Sequence, residues 1–185
     1  MSKLRLAAYG FVSIVFALAF FSHYTVYAST KNDLMLLKVN GPIQPSTADY
    51  LERMITRAES SGSTGILIEI NTPGGMLDAT RRIVSSFIDS DVPIITYVSP
   101  FGARAGSAGT FLVAASHIAV MTPTTNIGAA SPVSSDGSDL DKTLASKASQ
   151  DAAALMRSIA ETRGRNVTAL EATVLKAKAY SSEEA

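Results

Sequence analysis

Gly65-Ile66-Leu67-Ile68-Glu69-Ile70-Asn71-Thr72-Pro73-Gly74-Gly75 is a short apolar run that ends in a polar loop carrying two adjacent glycines. Aliphatic residues bounded by turn formers read as a strand, placed over 65–70. Directly after the loop, residues 77–88 set Ile83, Val84, Phe87 and Ile88 on one face of a helix. The same unit precedes it: a strand over 34–39, ended by Asn40-Gly41-Pro42, and then Tyr50, Leu51, Met54, Ile55 and Ala58 at helical spacing. Ser46 and Asp49 are placed as the cap and the first-turn acid of that first helix. Further on come a third strand over 93–98, a short helix beginning near Ser107, and a fourth strand over 118–121. Repeated β-α units imply an α/β fold of parallel strands joined by right-handed crossovers, with loops gathered at the strands' carboxyl ends. Functional residues are therefore expected just after Ile70, Val98 and Met121.

Bulk composition narrows the chemistry. A chain of 185 residues has room for one domain of ordinary size. Net charge is zero and charged residues make up 17%, so electrostatic capture of nucleic acid is not expected. The absence of cysteine removes disulfides, a thiol nucleophile and thiolate metal sites. Two histidines, His23 and His117, are too few for a multi-histidine metal centre. No residue pattern calls for a metal or an organic cofactor.

Residues 1–28 read as an export signal: Lys3 and Arg5 ahead of an uncharged apolar stretch over 6–21, then Val26-Tyr27-Ala28 with small residues suited to signal peptidase. Cleavage after Ala28 starts the mature chain at Ser29. The alternative is an uncleaved N-terminal anchor, and either places residues 29–185 outside the cytoplasm.

The three loops carry the unusual residues. Gly74 and Gly75 can bring bare backbone N–H groups close to a ligand, as an oxyanion hole requires; otherwise Pro73-Gly74-Gly75 is a plain turn. After the third strand, small residues flank Ser107 in Ala105-Gly106-Ser107-Ala108-Gly109-Thr110, at a strand-to-helix junction. This resembles a nucleophile turn, although Ala105 stands where a Gly-x-Ser-x-Gly elbow has its first glycine. The competing role for Ser107 is a helix cap. After the fourth strand, Ile127, Gly128 and Ala129 offer small uncharged contacts expected to line a peptide groove. A serine nucleophile needs a base. His117 borders the fourth strand and reads as structural, which leaves a Ser-His-Asp triad unsupported. Lys142 and Lys147 stand near the start of a helix containing Leu144, Ala148, Leu155, Met156 and Ile159, and the residues themselves do not choose between them. A lysine acts as a base only where its surroundings favour the neutral amine.

Taken in order, Gly41-Pro42-Ile43, Asn71-Thr72-Pro73-Gly74-Gly75, Ser107-Ala108-Gly109-Thr110, the segment 121–133 with Ile127-Gly128-Ala129-Ala130, and Ala160-Glu161 with Gly164-Arg165-Asn166 resemble the NfeD family of membrane-bound, Clp-class serine proteases. The resemblance implies a Clp-protease/crotonase-like fold and a Ser-Lys dyad, with Ser107 as nucleophile and Lys147 as base. It implies backbone oxyanion donors at Gly74, Gly75 and Ala108, and no metal or cofactor. It also implies cleavage of hydrophobic peptide segments, including the apolar tail of a stomatin-like membrane protein, by a homo-oligomer that is a dimer or larger. Family members continue into membrane helices, so the chain reads as truncated inside a helix-rich C-terminal segment. Asn166-Val167-Thr168 fits a glycosylation sequon, but Thr168 with Glu171 reads as a capping box and the sequon is given no functional weight. Two other classes remain: a crotonase-type acyl-CoA enzyme, which export argues against, and a catalytically silent scaffold or binding module of the same fold.

Overall fold

The computed structural model describes residues 33–133 and 141–185. The expected leader over residues 1–28 lies outside the described residues. Among the described residues, no helix is long and apolar enough to cross a membrane.

Four strands form the main sheet: β1 (Leu34–Asn40), β2 (Gly65–Asn71), β3 (Ile94–Val98) and β5 (Ile118–Met121). They lie in the order β1-β2-β3-β5 and every neighbouring pair is parallel. Register runs Leu37 to Ile68 to Thr96 to Ala119 across the sheet. Helices α1 (Pro45–Ser61), α2 (Leu77–Asp89) and α3 (Ala108–Ala115) connect consecutive strands, as a parallel sheet demands. Ile66, Ile68 and Ile70 point to one side and are fully buried, with Leu51, Ile83, Phe87 and Leu112 from the helices in the same core. The opposite face is open: Leu34, Leu36, Ile118 and Val120 remain exposed, and Lys38 pairs with Glu69 at 3.0 Å.

A second, smaller sheet was not foreseen. It joins β4 (Arg104–Ala105), β6 (Asn126–Gly128) and β7 (Ala179–Ser181) in the order β4-β6-β7, parallel then antiparallel. The C-terminal segment, expected to be helix-rich, thus also holds a strand, β7, which a turn follows. Before it run α4 (Lys142–Thr162) and α5 (Val167–Leu175).

Two caps differ from the sequence reading. At α1 the N-cap is Gln44, followed by Pro45 in the first helical position, and Thr47 Oγ1 accepts the Gln44 N–H at 3.2 Å. Ser46 and Asp49 thus lie inside the helix, and Asp49 pairs with Arg82 of α2 at 2.6 Å. At α5 the cap is Asn166, whose side chain accepts the Ala169 N–H at 3.0 Å, so Thr168 is already helical. Glu171 pairs with Arg157 of α4 instead of closing a capping box.

Candidate active site

The loops after β2 and β3 meet at the carboxyl ends of the strands. Gly106 N–H donates to Thr72 O at 3.0 Å, and Thr72 N–H donates to Arg104 O at 2.8 Å. This short ladder carries the chain straight from β4 into Ser107, the N-cap of α3. Ser107 holds φ 46° and ψ −115°, a left-handed φ that a side chain rarely adopts. Such a conformation costs on the order of 1–3 kcal/mol and persists only where neighbours enforce it. They do: Ser107 N–H donates to Ala129 O at 2.7 Å, and Ser107 O accepts from Thr110 N–H at 2.9 Å. Thr110 Oγ1 in turn donates to Ala105 O and accepts from Gly128 N–H, tying α3 to both small strands. Among the described residues the Ser107 hydroxyl makes no hydrogen bond, and Ser107 does not cap α3 through its side chain.

Two backbone donors beside it are also unengaged. Ala108 is the first residue of α3, so its N–H has no partner within the helix. Gly75 bridges to Ile43 in parallel register, and the bridging bonds run from Ile43 N–H to Gly74 O at 2.8 Å and from Met76 N–H to Ile43 O at 2.9 Å. The Gly75 N–H is left out of both. Gly74 differs, because its N–H donates to Thr72 Oγ1 at 3.1 Å. Its φ of 119° lets the backbone pass Ser107 at close range. Gly75 approaches Ile43 so closely that a Cβ would fall 2.0 Å from the Ile43 oxygen.

Ser107 and Gly75 open into a groove of about 850 Å³. Its lining includes Ile43, Met76, Leu77, Ala108, Phe111, Ala130, Pro132 and Val133, together with the carboxylate of Asp78. Leu144, Ala148 and Ala152 of α4, spaced by helical turns, border it from the side. Of the segment expected to line the groove, Ile127 and Gly128 are buried and Ala129 supplies the carbonyl that holds Ser107; the groove wall begins one residue later. Lys147 is exposed on α4 next to the groove residue Ala148, and Lys142 is exposed at the helix start. Among the described residues no hydrogen bond joins either lysine to Ser107. Arg81 of α2 pairs with Asp151, one turn beyond Lys147.

His117 lies at the opposite end of α3. Its Nδ1 accepts the Ile94 N–H at 3.1 Å, and its own N–H donates to Ile94 O at 2.9 Å. Partial burial, with Arg163 nearby, lowers its pKa below the usual histidine value.

Sequence reasoning passed over Thr72 and Phe111. Thr72 is fully buried and also donates to Gly74 O at 3.2 Å, so it shapes the glycine loop from below. Its place within the Asn71-Thr72-Pro73-Gly74-Gly75 motif was the available signal.

The family model described as NfeD1b, N-terminal domain, matches residues 34–183. The chain is 38% identical over 158 residues to the membrane-bound protease PH1510 of Pyrococcus horikoshii, covering 84% of this chain and 35% of that relative. It therefore spans about a third of the length of that curated relative. Two solved structures are similar over 83% of the chain: the 1510-N membrane-bound stomatin-specific protease in a serine-to-alanine variant (35% identity, TM-score 0.75, 75% of that chain) and in a lysine-to-alanine variant in complex with a substrate peptide (36% identity, TM-score 0.76, 71% of that chain). ClpP1 from Listeria monocytogenes matches at TM-score 0.64 and 18% identity, over 80% of this chain and 84% of that one. The fold is Clp-protease-like.

Proposed function

Because the chain belongs to the family of NfeD1b N-terminal domains, we propose that residues 29–185 form a serine endopeptidase domain in which Ser107 attacks a peptide carbonyl and Lys147 takes its proton. The observation that carries this reading is the Ser107 backbone: a non-glycine residue held at φ 46°, with an unbonded hydroxyl on an apolar groove between two unengaged N–H donors. In the reaction the Ser107 Oγ bonds to the carbonyl carbon as its proton passes to the amine. The oxyanion gathers the N–H groups of Gly75 and Ala108. The leaving amine then takes the proton from Lys147, and water releases the acyl group by the same route. Gly74, whose N–H is engaged by Thr72, contributes close approach to Ser107 rather than a donor.

Support for Lys147 over Lys142 comes from spacing. The altered serine and lysine of the 1510-N protease are 41 positions apart, against 40 from Ser107 to Lys147 and 35 from Ser107 to Lys142. Lys147 is exposed on α4 beside the groove residue Ala148, and the reading requires its amine to reach Ser107.

The substrate is an uncharged apolar peptide segment, and the hydrophobic tail of a stomatin-like membrane protein fits the class. The apolar side chains of Ile43, Met76, Leu77, Phe111 and Val133, which outnumber the single lining carboxylate of Asp78, support this. The protein is exported and membrane-associated, with residues 1–28 either cleaved as a signal or kept as an N-terminal anchor, and works as a dimer or larger homo-oligomer. Hydrolysis of an apolar peptide tests the dyad. Ser107→Ala and Lys147→Ala each lower kcat about 100-fold or more, Lys142→Ala and His117→Ala keep most activity, and the double variant is no worse than either single one. Full activity in Lys147→Ala contradicts the dyad.

A further inference from the structure

The Gly164-Arg165-Asn166 motif has no part in the chemistry above, yet its neighbourhood is unusual. Arg163 and Arg165 are half-buried, and among the described residues neither has a carboxylate partner. Their donors go to backbone carbonyls instead. Arg165 Nε and Nη2 donate to Ala114 O and Ser116 O, both at 2.8 Å. Arg163 Nε donates to Ala115 O and its Nη2 to Phe87 O, both at 2.7 Å.

Those carbonyls are helix ends. Ala114, Ala115 and Ser116 close α3, whose other end is Ser107; Phe87 lies in the last turn of α2, which follows Gly75 by two residues. A single guanidinium therefore fastens together the C-termini of the two helices whose N-termini bear the nucleophile and an oxyanion donor. It projects from the residue that ends α4, the helix carrying Lys147. Helix C-termini also present partial negative charge, which suits cations at this place. Burial lowers the pKa of both arginines, and proximity to Arg163 adds to the effect on Arg165, so the structure sets two like charges side by side against carbonyls alone.

We propose that Arg163 and Arg165 are positioning residues for the Ser107 site, fixing α2, α3 and α4 at their far ends so that Gly75, Ser107 and Ala108 keep one geometry. This rests on the protease reading above. At about 1.5 Å per residue the eight residues of α3 put the clamp roughly 12 Å from the nucleophile, too far for contact. Its action is mechanical: α3 is buried along its whole length, so a tilt at one end reappears at the other.

The test is Arg163→Lys, which keeps the charge but replaces a planar fork with one ammonium unable to hold both carbonyls in the same way. Expected are a fall in kcat of about tenfold or more with KM within about twofold, because misplacement of reacting groups costs rate before binding. Melting temperature stays within a few degrees, and hydrogen exchange over residues 107–112 becomes faster. Arg82→Lys, which loosens a fork between α1 and α2 on the outer surface, leaves kcat unchanged. Unchanged kcat in Arg163→Lys, or a loss matched by Arg82→Lys, overturns the proposal. A wild type inert to both peptide and a serine-reactive fluorophosphonate overturns the protease reading instead. The clamp is then decided by exchange alone, and unaltered exchange in Arg163→Lys refutes it.

Discussion

A methyl group on Gly74 would lie 2.4 Å from the Cβ of Ser107 and 3.0 Å from its Oγ. Gly74 also holds φ 119°, where an L side chain is strained whatever the space. Gly74→Ala is therefore expected to push Ser107 out of its strained turn and lower kcat about 100-fold or more. Gly62→Ala is the control, because Gly62 has a positive φ of 69° at the C-cap of α1 but open space around it. It should lose about 1 kcal/mol of stability and no activity. Equal activity in the two variants, measured by peptide hydrolysis, contradicts the steric argument.

Thr72 provides a stability prediction. Its hydroxyl accepts from Gly74 N–H and donates to Gly74 O within a fully buried site. Thr72→Val keeps the shape and leaves the Gly74 N–H unpaired, which costs about 1–3 kcal/mol. The Gly74 oxygen retains the Ile43 N–H, so the donor accounts for the loss. Urea unfolding reads it, and Thr72→Ser should recover part of it. A Thr72→Val variant as stable as the wild type rules out the role.

The strands and most helices were legible because their burial follows simple periods. Residues 118–121 form the fourth strand as read, and the second helix ends one residue later than expected. Ser107, Gly74 and Gly75 stood out through the crowding of small residues at two strand-to-helix junctions. The small sheet was not legible: its strands are two or three residues long, too short to show alternation, and β7 reaches β6 from across α4 and α5. Gln44 was missed as a cap because Thr47 works in reverse, accepting from the cap's backbone. The groove wall over residues 130–133 depends on tertiary placement, and Ala130 N–H is held by Thr173 O at 2.8 Å from α5. Arg165 was visible within a motif, but its partners are carbonyls, which no side chain announces.

His117 sets a pH dependence of stability. Its folded pKa is lowered, chiefly by burial, and its Nδ1 must stay unprotonated to accept the Ile94 N–H. The unfolded chain then binds the proton more readily, so this contribution is present above the ordinary value of 6.5 and is lost as pH falls below it toward the folded value. Urea midpoints at pH 7.5 and 5.5 should fall less in His117→Gln than in the wild type. An equal fall in both proteins assigns the acid sensitivity to other groups.

The nucleophile itself is tested most directly by treating the protein with a fluorophosphonate and locating the adduct by peptide mass mapping. The expected result is a single adduct on Ser107, with no labelling and no hydrolysis of an apolar peptide in Ser107→Ala, a variant that keeps the wild-type fold. An adduct on any other residue, or peptide hydrolysis persisting in Ser107→Ala, would contradict the assignment of Ser107 as the nucleophile.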